Sequence, residues 1–165
     1  MGADKSRENK INTVLLCTKI STVVMTIFCV LSVIFGYYIC LYVWGIKFIG
    51  GSRTIPAIPE DPAFVLFMVA FYICIAFAFV ILIGVWKLLG NLKSGEVFVR
   101  KNTKLLNVIT IGCVGIGVFC FLAGLLDYST VLIGFVGFFM ALIVQCVKVL
   151  MDKAIDIKDE LDLTI

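Results

Sequence analysis

WKLLGNLKSGEVFVRKNTKLL, residues Trp86 to Leu106, is a basic island between two long uncharged apolar runs. It carries Lys87, Lys93, Arg100, Lys101 and Lys104 against a single acid, Glu96. Each flanking run is long enough to cross a bilayer, so the island is expected at a membrane face, and its excess of cations points that face to the cytoplasm.

Working outward, the rest of the chain has the composition of a membrane protein. Of its 165 residues 62% are hydrophobic and only 15% charged, with a mean hydropathy of +1.14. A soluble domain carries roughly 25% charged residues, so this composition cannot supply a water-facing surface and leaves room for one small bundle with no separate soluble domain. The formal charge of +3 is a weak pointer to nucleic acid, because the cations gather near membrane ends. Histidine is absent, which removes the commonest metal ligand and the usual proton shuttle at neutral pH.

Four uncharged runs predict four spans, at about residues 20–46, 63–86, 105–126 and 128–147, followed by a tail over 148–165. At about 1.5 Å per residue each crosses a hydrocarbon core of about 30 Å. The first run is too long for a cleaved leader and reads as a retained span. Lys and Arg number 4 before the first span, 2 in the loop Lys47 to Pro62, 5 in the central island, none at Asp127 and 3 after the fourth span. With 12 cations on one side and 2 on the other, both termini are expected in the cytoplasm, in a multi-pass plasma-membrane protein. The opening MGADKS fits a myristoylation pattern at Gly2, although four spans already anchor the chain.

The loop after the first span holds all three prolines, Pro56, Pro59 and Pro62, after Gly50-Gly51. That spacing favours a stiff extended spacer. Asp127 stands almost alone between the third and fourth runs, where a helix-capping turn residue explains it, and those helices must be antiparallel neighbours.

Helices in lipid associate by close approach of small residues. The third span offers Cys113, Gly117, Cys120 and Gly124 on one face, and the fourth offers Gly134, Gly137 and Ala141. These two faces are expected to meet. The first span has a comparable seam, Thr22, Thr26, Cys29, Ser32, Gly36 and Cys40, and the second has Ala70, Cys74 and Ala78. The seven cysteines contain no CxxC pair and read as small apolar packing residues, so no metal site is expected. No ionisable group lies in mid-span, which argues against proton-coupled transport. The hydroxyls of Thr22, Thr26, Ser32 and Thr110 are expected to bond to the preceding turn or a neighbouring helix. No carboxylate pair, activated nucleophile or phosphate-cradling loop is visible, so no catalytic residue, no cofactor and no enzyme activity are expected.

Within the island NLKSGE, Asn91 to Glu96, reads as a turn with a bend at Gly95, and Phe98 as an interfacial anchor. After the fourth run an apolar repeat, Val147, Leu150, Ala154, Ile157 and Leu161, continues at spacings of three and four, predicting that the last helix extends beyond the membrane as an amphipathic helix. Lys148 to Ile165 holds 3 cations and 5 acids, whereas Lys87 to Lys104 holds 5 cations and 1 acid. Two outcomes follow: the tail docks on the loop, or its apolar stripe and terminal DLTI receive a cytosolic protein. The fold class expected is an all-α integral membrane protein, a four-transmembrane-helix bundle with an amphipathic cytoplasmic C-terminal helix.

LKSGEVFVRKN combined with the closing AIDIKDELDLTI resembles the small four-span bacterial membrane proteins of domain of unknown function family 2975. Their loop motif, Leu-x-x-Gly-x-x-Phe, matches at Leu92, Gly95 and Phe98, with Asn102 following, and their closing run matches at Lys158, Glu160, Asp162, Leu163, Thr164 and Ile165. The chain departs at Leu161, where asparagine is usual, and at Val99, where a capping hydroxyl is common. The resemblance transfers no chemistry. It implies a gene neighbourhood containing a very small helix-turn-helix regulator, and hence an interaction protein that tethers or modulates that regulator through the ten matched residues. A competing reading is a resistance or immunity protein that recognises or exports a membrane-active peptide or small molecule; the aromatic load near Phe35, Tyr37, Tyr38, Tyr42 and Trp44 is its supporting feature. Lipid is the first partner expected, a second copy of the chain stays open, and direct nucleic-acid binding is not expected.

Overall fold

A computed structural model describes residues 2–50, 62–94, 97–126 and 128–162, with side chains over 12–43, 62–94, 97–126 and 128–161. Four helices follow one another: α1 (Gly2–Gly50), α2 (Pro62–Lys93), α3 (Arg100–Ala123) and α4 (Tyr128–Asp162). All four are long and apolar enough to cross a membrane, and the described residues contain no strand. The chain is a multi-pass, all-α membrane protein built as a four-helix bundle.

The helices overrun the apolar runs at several ends. α1 reaches back through the polar segment to Gly2 and forward through Gly50. Gly51, Pro56, Pro59 and Asp127 lie outside the described residues. Pro62 is the first residue of α2, where its fixed φ suits a helix start and its missing N–H costs nothing. Charges at a helix end do not stop a helix, because Lys and Glu propagate one about as well as Leu; apolar runs therefore mark where the lipid is, and breakers mark where the helix ends. α3, at 24 residues, is about 36 Å long and close to the bilayer core in length. α2 and α4, at 32 and 35 residues, must project beyond it.

Each helix packs against its neighbour in sequence, and among the described residues α1 touches α2 alone. The α3/α4 contact is the closest. A Cβ placed on Gly134 would lie 3.1 Å from the Gly117 carbonyl oxygen, and one on Gly137 would lie 3.1 Å from the Gly117 nitrogen and 3.3 Å from the Cys113 carbonyl oxygen. Backbone therefore meets backbone, as the small-residue faces predict. Between α2 and α3 the packing is knob into notch: Ile109 fills the space over Gly84, Ile81 that over Gly112, and Phe77 that over Gly115. The α1 seam is found as expected, with Thr22 and Cys40 buried and the Gly36 notch filled by Tyr72 and Phe71 of α2. Thr18, Thr22, Thr26 and Thr110 each donate to the carbonyl four residues back. These four hydroxyls are thereby satisfied within their own helices.

Candidate functional site

The distinctive polar structure gathers at the end of the bundle where α2 turns into α3. α2 runs on to Lys93, and Ser94 closes it by bonding from its N–H to the Gly90 carbonyl and from its hydroxyl to the Asn91 carbonyl. Chain direction then reverses through an extended Val99, φ −132° and ψ 135°, which is the N-cap of α3 and makes no side-chain cap. In place of that cap the turn is held from inside the helix by Asn102. Its side chain is fully buried, accepts from the Asn91 amide at 2.7 Å and donates to the Val97 carbonyl at 2.9 Å. Thr103, also buried, donates to the Arg100 carbonyl. A buried amide with both ends matched gives a connection of defined shape.

α4 lies along the first two turns of α3. Lys148 donates to the Asn107 side-chain oxygen at 3.0 Å, Ile155 is buried to 3% exposure, and Arg100 reaches Asp156 at 3.3 Å and Asp159 at 3.4 Å. The end of α4 thus docks on the basic connection. The docked face is not the apolar repeat read from the sequence. Ala141, Ile155 and the half-buried Val144, Lys148 and Met151 turn toward the bundle, whereas Leu150, Ile157 and Leu161 are 67%, 59% and 61% exposed. Both periodicities are present in α4, and the burial data assign them opposite sides.

A family model described as a protein of unknown function (DUF2975) matches residues 56–165, which include the whole connection and the whole of α4. The chain belongs to the DUF2975 family. No curated protein and no solved structure matches it.

In this DUF2975 protein the residues of the two motifs fall into different environments. Leu92 is half-buried and Phe98 is exposed, while Asn102 faces inward. Lys158 and Glu160 are exposed on α4, and Asp162 is its last residue. Gly95, Leu163, Thr164 and Ile165 lie outside the described residues. The motifs do converge, since Arg100 of the loop touches Asp156 and Asp159 of the closing run. Sequence reasoning missed Asn91 as the partner of Asn102, and Asp156 with Asp159 as the acids that meet Arg100. The spacing of three between the two aspartates was an available signal, because it places both on one helical face.

Proposed function

We propose that this DUF2975 protein is a membrane-embedded interaction protein, seated in the plasma membrane with both termini and the α2–α3 connection in the cytoplasm, that holds a small helix-turn-helix transcription regulator against the membrane. The observation that carries this reading is the exposed stripe of Leu150, Ile157 and Leu161 on a helix whose opposite side is already docked. Burying an aliphatic side chain of this size contributes about 1.5–3 kcal/mol. A short partner helix laid along the stripe would cover all three. The docked face fixes the position of α4 against α3, so a partner would meet a helix already formed and in place, with little binding energy spent on ordering it. Cations Lys101 and Lys104 at the start of α3 are exposed, at the same end of the bundle as the docked tail, where they steer an acidic partner. Asn102 serves this reading as a positioning residue, and Phe98, Lys158 and Glu160 as contact residues. The choice of a helix-turn-helix regulator as the partner follows what the family resemblance implies.

Co-purification with the proposed helix-turn-helix regulator tests the reading. Detergent extracts containing the intact protein should retain the regulator, and the doubly substituted Ile157→Glu, Leu161→Glu protein should lose it. Truncation after Lys153 should abolish retention as well. Equal recovery from all three would remove the tail from the function.

A further inference from the structure

α2 and α3 meet through glycine notches along most of their length, but near the end away from the basic connection two sulfurs meet instead. Sγ of Cys74 on α2 lies 3.6 Å from Sγ of Cys120 on α3. Among the described residues this is the one pair of thiols in contact. Beside the pair is a groove of about 290 Å³ lined by both cysteines, by Phe67 and Phe71 of α2, and by Thr130 and Ile133 of α4. The groove lies between α2 and α4, which do not pack on each other among the described residues, and Ile133 at its wall is 56% exposed. Its mouth therefore faces the lipid, and its lining is almost wholly apolar.

We propose that Cys74 and Cys120 form a redox-active pair, converted to a disulfide by a lipid-soluble quinone that enters this groove. A disulfide requires the sulfurs at about 2.05 Å, so the 3.6 Å gap between them has to close by about 1.5 Å. The oxidant has to arrive through the bilayer without charge, accept two electrons and two protons, and lie against the rings of Phe67 and Phe71. A quinone satisfies each condition. In the reaction both S–H bonds break and one S–S bond forms; the two electrons and two protons pass to the two carbonyl oxygens, leaving one hydroquinone. The product ties α2 to α3 across 46 residues that include the whole connection. This inference is independent of the regulator reading, because the groove and the docked tail lie toward opposite ends of α3.

The full chain, reconstituted without oxygen in nanodiscs of phosphatidylethanolamine and phosphatidylglycerol, is treated with tetramethyl-1,4-benzoquinone, whose substituted ring cannot add a thiol. Free thiols should fall from seven to five, a peptide pair joining Cys74 to Cys120 should appear two hydrogens lighter, and one hydroquinone should form per chain. Cys74→Ser and Cys120→Ser should each keep all six remaining thiols, while Cys113→Ser should still lose two. Ile133→Trp, which crowds the mouth from a lipid-exposed position, should slow the loss at least tenfold. An unchanged thiol count in the parent protein overturns the pair, thiol loss that survives Cys74→Ser assigns the reaction to other cysteines and overturns it equally, and an unaltered rate in Ile133→Trp overturns the groove as the point of entry.

Discussion

The side-chain amide of Asn91, on the last turn of α2, donates to the side-chain oxygen of Asn102, on the first turn of α3, at 2.7 Å. This bond joins two helices directly above the reversal between them, and the same Asn102 also holds the Val97 carbonyl. Removing it with Asn102→Ala leaves the Asn91 amide and the Val97 carbonyl without their partner. A loss of about 1–3 kcal/mol is expected, read as a lowered melting temperature in detergent. An unchanged melting temperature would show that the connection keeps its shape by other means.

Glycines of the bundle divide by what surrounds them. Gly137 approaches the α3 backbone, whereas nothing lies within 4 Å of a Cβ added at Gly90. Gly137→Val should therefore part α3 from α4 and cost about 1–3 kcal/mol. Gly90→Ala should be neutral or stabilise by up to about 1 kcal/mol, since Ala is the better helix former. Thermal scans of both variants in one detergent check the contrast, and equal effects would refute the backbone contact.

The docked end of α4 is held by burial more than by charge. Arg100, Asp156 and Asp159 are 71%, 61% and 57% exposed at their side chains, and ion pairs in that setting contribute about 0–1 kcal/mol and weaken with salt. Ile155 is 3% exposed, and truncating a buried isoleucine costs about 2–5 kcal/mol. Limited proteolysis should accordingly find the tail of Ile155→Ala released at any ionic strength. Arg100→Ala should stay protected, with at most a modest change that vanishes at 1 M salt. The reverse order would make the ion pairs the principal contact.

Hydropathy made the spans legible because lipid selects long uncharged runs, and spacing of small residues made the α3/α4 and α1/α2 seams legible because close approach leaves no other choice. Gly117 against Gly134 and Gly137 is found as expected. Cys120 is the instructive exception on that face: its sulfur meets Cys74 of α2, and a one-dimensional stripe cannot say which of two neighbours a residue on it will meet. The tail shows a related limit. Two apolar periodicities share α4, and only the position of α3 decides that Ile155 is covered while Leu150, Ile157 and Leu161 are left outside. Motif matching located Asn102 but could not assign it a role, because its partner Asn91 lies before the turn and outside the motif.

The regulator account rests on the exposed stripe of α4 lying in the cytoplasm, and accessibility of a single thiol tests that most directly. In a Cys17→Ser, Cys146→Ser background, Ile157→Cys is treated in intact cells with a membrane-impermeant maleimide, before and after permeabilisation. The account predicts labelling only after the membrane is opened. Full labelling of Ile157→Cys in intact cells would place the stripe on the outer surface and contradict it.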